Sequence, residues 1–176
     1  RALRTGGDFA EVFVEDKRSS SAMLDDGRVE ELTSGRDRGA GIRVVVGDTT
    51  GFAHTADLSE AGLRSAAEAA AAAARGGGGG SKVVAVSPID VERSAPVRIP
   101  PEEVAKATKV GLLTLANEAA RAEGSAITQV AARYGDSRRR ILVANSDGLL
   151  AEDDQIRTLF SVSCVAAGDT GLQTGR

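Results

Sequence analysis

The chain has 176 residues, with 22 Lys or Arg against 25 Asp or Glu and a formal charge of −3, a balance that excludes a generic binder of nucleic acid or anionic membrane because such binding needs a basic footprint. A single Cys excludes an intramolecular disulfide, and a single His beside it excludes an ordinary structural zinc site. No apolar run approaches the roughly 18 residues of a membrane helix, and no apolar secretory segment opens the chain, so a cytoplasmic protein of one domain or two small ones is expected.

Aromatic residues make up 3% of the chain, so the core must be built from Val, Leu, Ile and Ala. The sequence opens on Arg1 and closes on a polar run over residues 168–176, which is expected of a piece of something longer. Residues 9–15 read as a strand, with Phe9, Glu11, Phe13 and Glu15 alternating with Ala10, Val12 and Val14. Asp25-Asp26-Gly27-Arg28 predicts a hairpin turn between residues 19–24 and a returning strand over 29–33, because Gly takes a positive φ cheaply. Ile42-Arg43-Val44-Val45-Val46 is the clearest strand of the first half. A turn over 47–51 and a short strand from Phe52 to Thr55 complete an antiparallel meander.

The period then changes. Asp57-Leu58-Ser59-Glu60 fits a capping box with Asp57 as the cap and Glu60 reaching back. Residues 58–75 are nearly pure helix former, with Gly76 placed to end the helix. Gly76 to Gly80 reads as a flexible loop, residues 82–86 as a short strand, and the proline-bearing stretch 87–101 as an extended connector. Pro100, Pro101, Glu102 and Glu103 open a second helix, with Pro near its first position and acids facing the positive end of the dipole. Its apolar face is expected to be Val104, Thr108, Gly111, Leu112, Leu115, Ala119 and Ala122, and Gly124 ends it. Strand-like runs over 126–134, 139–145 and 149–166 follow, separated by turns at Gly135-Asp136-Ser137 and Ser146-Asp147-Gly148. The expected class is α+β, two small helix-plus-antiparallel-meander units: a first domain over 1–75, a Gly/Pro-rich connector over 76–98 and a second domain over 99–176.

Few residues suggest chemistry. Gly76-Gly77-Gly78-Gly79-Gly80-Ser81-Lys82 is not a phosphate loop, because Ser precedes Lys and a helix comes before the glycines. Gly39-Ala40-Gly41 lacks the third glycine of a dinucleotide fingerprint and leads into a strand. His54 has no companion and reads as structural or exposed. Cys164, in the last alternating run, reads as a small buried thiol. Glu152-Asp153-Asp154 lacks calcium-loop spacing. Arg138-Arg139-Arg140 sits at an expected hairpin turn, without the interleaved aromatics of a nucleic-acid site. The residues by themselves give an α+β protein with no visible catalytic or metal-binding set.

One stretch goes further. Gly39-Ala40-Gly41-Ile42-Arg43-Val44-Val45-Val46-Gly47-Asp48-Thr49-Thr50-Gly51-Phe52-Ala53 resembles the Gly-x-Gly-Ile/Val-Arg, Gly-x-x-Thr-Gly-Phe/Tyr-Ala signature of the TldD/PmbA family, whose members have been called modulators of DNA gyrase and are classed as zinc metallopeptidases. Residues 7–15 resemble the family's first strand and residues 141–153 its second domain. Ala166-Ala167-Gly168-Asp169 with Gln173-Thr174-Gly175 looks closer to the TldD branch. The signature residues Gly39, Gly41, Arg43, Gly47, Thr50, Gly51 and Phe52 would shape a scaffold, with Arg43 snorkelling or pairing with an acid.

The resemblance implies an N-terminal part of a peptidase subunit that degrades or processes unfolded peptides. The zinc-binding His-Glu-x-x-x-His would lie in a later part of the parent, so no catalytic or metal ligand is assigned within these 176 residues. It also implies a PmbA-type partner or a second copy, with this part helping to enclose substrate. Two other readings stay open: a non-catalytic PmbA-type binding subunit, and a module touching gyrase or DNA through Arg138 to Arg140.

Overall fold

Four strands longer than the local alternation suggests carry the architecture. The computed structural model describes residues 2–4, 6–74, 84–91 and 97–176. Along the chain run β1 (Phe9–Asp25), β2 (Arg28–Val46), β3 (Thr49–Thr55), α1 (Glu60–Ala73), β4 (Ser87–Pro88), a 3-10 turn (Pro101–Glu103), α2 (Lys106–Ala122), β5 (Ile127–Asn145), β6 (Leu149–Gly168) and β7 (Gly171–Gly175). The strands are ordered β3-β2-β1-β5-β6-β4, with β7 also on β6. Pairing is antiparallel for β2 with β3 and β6 with β7, and parallel for the short β4 with β6. The class is α+β, as the sequence implies.

Tight connections of two or three residues follow from the expected residues. Asp26 and Gly27 take φ of 49° and 80° between β1 and β2, the positive pair a hairpin turn needs. Gly47, φ 55°, opens the turn between β2 and β3, and its N–H donates to Asp8 Oδ2 at 2.7 Å. Asn145 Oδ1 accepts from the N–H groups of Asp147 and Leu149, which closes the turn into β6.

The chain groups into two units built from interleaved segments: Arg1–Lys17, Asp37–Ser94 and Arg139–Asp154 in one, Arg18–Arg36, Ala95–Arg138 and Gln155–Arg176 in the other. Strands β1, β2, β5 and β6 each give one stretch to each unit. All four change unit within charged sequence: Glu15-Asp16-Lys17-Arg18, Arg36-Asp37-Arg38, Arg138-Arg139-Arg140 and Asp153-Asp154. Apolar burial stops where side chains demand solvent or counter-charge, so each unit keeps its own core.

In the first unit α1 lies on the sheet through Ala66, Ala67, Ala70, Ala71 and Ala74, packed with Leu3, Ala10, Ile42 and Val44. Small side chains let the backbones meet. A Cβ on Gly51 would lie 2.0 Å from the Ala70 carbonyl oxygen and 2.3 Å from the Ala74 nitrogen. The cap of α1 is Ser59 rather than Asp57: Ser59 Oγ accepts from the Gly62 N–H at 3.2 Å, while Asp57 Oδ1 accepts from the Ser59 N–H. That hydrogen bond from Ser59 holds the Asp57 carboxyl below its usual range. Ser59→Ala is expected to cost about 1 kcal/mol, as cap removal does, read as a lowered thermal midpoint.

In the second unit α2 buries Lys109, Leu113 and Asn117. Leu113 packs with Ala22, Leu24, Ala132 and Tyr134, and Ala116 and Val162 flank it. The expected apolar face is therefore wrong: Leu112 is 46% and Leu115 62% exposed. The helix instead turns Lys109 toward a carboxylate on the sheet, and a buried charge tolerates no other arrangement. Leu113→Ala is expected to destabilise by about 2–5 kcal/mol and Leu115→Lys to stay within about 0.5 kcal/mol, measured as urea midpoints.

Three further expectations are corrected. The helix start moves: Pro101 opens a separate 3-10 turn, and α2 begins at Lys106 behind Ala105, whose side chain cannot cap. No turn forms at Gly135-Asp136-Ser137, since β5 runs straight through it. Val84, Ala85 and Val86 are not in a strand. The glycine tract 76–80 and residues 82 and 83 lie outside the described residues.

Candidate functional site

The signature residues gather around β2 and β3 of the first unit. Their register sets Gly41 opposite His54, Arg43 opposite Phe52, Val44 opposite Gly51 and Val45 opposite Thr50. The Phe52 ring covers Gly41, where an added Cβ would come within 3.1 Å of it; an aromatic lying over a strand glycine helps to pin the register. At Gly39 an added Cβ would come within 3.0 Å of the Thr55 carbonyl oxygen. Arg43 pairs with Glu11 at 3.3 Å and lies over the Phe9 ring, 5.6 Å from its centroid. Thr50 is exposed. These residues hold a helix, a strand pair and a turn in contact, and none presents a nucleophile or a base.

His54 is exposed, with its ring centroid 6.3 Å from that of Phe52. Cys164 is half-buried in the second unit. The arginines expected at a turn lie within β5, and each has a carboxylate. Arg138 meets Glu102 at 2.6 Å, Arg139 meets Glu15, and Arg140 meets Asp154 at 3.6 Å. The hydrogen bond from Arg138 keeps the Glu102 carboxyl below its usual range. Cations already matched to acids are poorly placed to neutralise phosphates.

The most constrained polar cluster was not legible in the sequence. Lys109 Nζ lies 2.5 Å from Asp136 Oδ2 and 2.8 Å from Ser20 Oγ, and Ser20 donates to the same carboxylate oxygen at 2.7 Å. The Lys109 and Asp136 side chains are only 5% and 6% exposed. Nζ sits 5.4 Å from the centroid of the Tyr134 ring. Burial pushes the Asp136 carboxyl up, but hydrogen bonds from Lys109, Ser20 and Tyr134 prevail and hold it below the usual carboxylate range. Burial and the Asp136 carboxylate push the Tyr134 hydroxyl up to about 12. The one signal available was the recurrence of Lys109, Leu113 and Asn117 every four residues on a helix.

Metal chemistry does not fit the described residues: no group of three or more His, Cys, Asp or Glu among them could hold an ion. No helix among them is long and apolar enough to cross a membrane.

Residues 10–74 match the PmbA/TldA metallopeptidase domain 1, and residues 99–176 match the PmbA/TldA metallopeptidase central domain. The chain belongs to the PmbA/TldD family. A metalloprotease TldD homolog of Haemophilus influenzae is 34% identical over 160 residues, covering 89% of this chain and 32% of that protein. A metalloprotease of Methanothermobacter thermautotrophicus is 30% identical over 170 residues, covering 96% of this chain and 36% of that protein. The chain thus spans about a third of the length of these PmbA/TldD relatives. Among solved structures, a Thermotoga maritima protein named for modulation of a DNA gyrase superposes with a TM-score of 0.76 at 18% identity, over 95% of this chain and 38% of that one. TldE from Thermococcus kodakarensis gives 0.61 at 19% identity, over 94% and 38%. These two likenesses establish a shared fold.

Proposed function

We propose that this chain is the front portion of a zinc-dependent peptidase subunit of the PmbA/TldD family, working in the cytoplasm on unfolded peptides. Its role in that subunit is to enclose substrate and to meet a PmbA-type partner or a second copy; bond cleavage belongs to a later part of the protein. The observation that carries this reading is the match of both family domains along a chain spanning about a third of its metalloprotease relatives. It is supported by the scaffold glycines and satisfied ion pairs of the described residues, which suit an enclosing role. The pairing of Arg138, Arg139 and Arg140 with acids speaks against the DNA-contacting alternative.

The test is cleavage of an unstructured peptide by the full-length protein, mixed with its PmbA-type partner where the genome encodes one. Activity is expected to vanish with chelator and return with zinc, while residues 1–176 alone cleave nothing. Chelator-insensitive cleavage, or cleavage by residues 1–176, would overturn the proposal.

A further inference from the structure

Helix α2 carries two faces that a sheet could accept. The face seated on the second unit's sheet buries Lys109, Leu113 and Asn117. The other is the exposed stripe Thr108, Leu112, Leu115, Ala119 and Ala122, whose alternating steps of four and three residues are those of an apolar helix seam. On apolar content the stripe is the better face, with two leucines against one leucine set between an ammonium and an amide. That amide is not satisfied either: Asn117 Oδ1 is buried and has no hydrogen-bond partner among the described residues. Turning α2 about its axis to seat Leu112 and Leu115 would return Lys109 and Asn117 to water, where neither costs anything.

What that turn would lose is the counter-charge of Asp136. Its carboxylate, 6% exposed on β5, meets Lys109 Nζ at 2.5 Å, and Ser20 bonds to both. A buried carboxylate stripped of its cation costs more than a leucine left in water. Arg121 also ties α2 to Asp26, but both side chains are well exposed, and such a pair contributes little. We infer that Asp136 selects which face of α2 meets the sheet, its pairing with Lys109 acting as a lock that keeps Leu113 inward and the Leu112–Leu115 stripe outward. The lock works by excluding the other seat. Apolar replacements often match a buried ion pair in stability, so what the pair supplies here is the choice between two faces, as one buried polar residue fixes the register of a coiled coil. The inference concerns the second unit alone and is independent of the peptidase reading.

The experiment places single cysteines in the full-length protein at two neighbouring alanines, Ala119→Cys on the exposed stripe and Ala120→Cys on the half-buried side. Both changes spare the leucines. Alkylation by N-ethylmaleimide is followed at each position by peptide mass. With Asp136 in place, position 119 is expected to react on the order of 10-fold faster than position 120. Asp136→Leu is expected to reverse that order, because Lys109 then leaves for water and the stripe takes its place. Lys109→Met with Asp136→Leu, which buries no charge and keeps the fold if the single variant does not, is expected to bring the two rates within a few-fold of each other. The charge exchange Lys109→Asp with Asp136→Lys is expected to retain the original order. An unchanged order in the folded Asp136→Leu or double variant would show that packing alone fixes the face, and equal protection of both positions with Asp136 in place would show that another part of the protein holds the stripe; either result overturns the inference.

Discussion

Lys109→Met is expected to cost about 3–5 kcal/mol of folding stability, the usual penalty for stripping one partner from a buried ion pair. The substitution leaves the Asp136 carboxylate, 6% exposed, with hydrogen bonds from Ser20 and Tyr134 but no counter-charge. Replacing both partners with apolar residues, as in Lys109→Met with Asp136→Leu, is expected to recover much of the loss, because no charge then remains buried. Proton linkage gives an independent readout. The folded carboxyl of Asp136 titrates below its ordinary value, so its contribution is present above the unfolded pKa and is lost as the pH falls through the lower, folded one. Urea midpoints of the parent should therefore decline on acidification, and the double variant should decline less. Tyr134, raised to about 12, works in the opposite sense: its contribution is present below the ordinary tyrosine value and is lost as the pH rises through about 12. Indifference of stability to Lys109→Met would show that the cluster contributes nothing to the second core.

Gly51→Ala carries the second large expected effect, about 3 kcal/mol, at the upper end of overpacking costs. The added methyl would have to occupy space 2.0 Å from the Ala70 carbonyl oxygen and 3.0 Å from the Ala73 carbonyl carbon. Both atoms are helix backbone, so no rotamer change relieves the clash, and α1 would have to lift off β3. Gly111→Ala is the matched control. It lies inside α2 with nothing within 4 Å of the added carbon and is expected to stabilise by about 0.5–1 kcal/mol through helix propensity. Calorimetric midpoints of the two variants should move in opposite directions. A neutral Gly51→Ala would mean that helix and strand lie farther apart than described.

Local signals made part of this fold legible. The alanine-rich run after Ser59 announces α1, and Asp26-Gly27 announces the first hairpin. Both rest on interactions a few residues long. Signals that depend on distant partners are ambiguous in the sequence. Gly135-Asp136-Ser137 has the composition of a turn, but the carboxylate is satisfied by Lys109, 27 positions earlier, and by Ser20, 116 positions earlier. The face of α2 is hidden for the same cause, because counting apolar residues favours Leu112 and Leu115 until Lys109 acquires a counter-charge. At α1 two acceptors two positions apart compete for one role, and only geometry separates Ser59 from Asp57. The signature around Gly39 to Phe52 was visible as a pattern. Its physical content, a helix resting on a glycine and a ring resting on another, needed three dimensions.

The interleaving of segments bears on how the polypeptide acquires its form during synthesis. Leu113 is enclosed by Ala22 and Leu24 from early in translation and by Ala132 and Tyr134 from late in it. Until the later pair emerges from the ribosome, the hairpin of β1 and β2 has a bare apolar side that local contacts cannot cover. Non-local closure of this kind is slow. A nascent chain with such a gap between making a surface and hiding it is a natural client for chaperones.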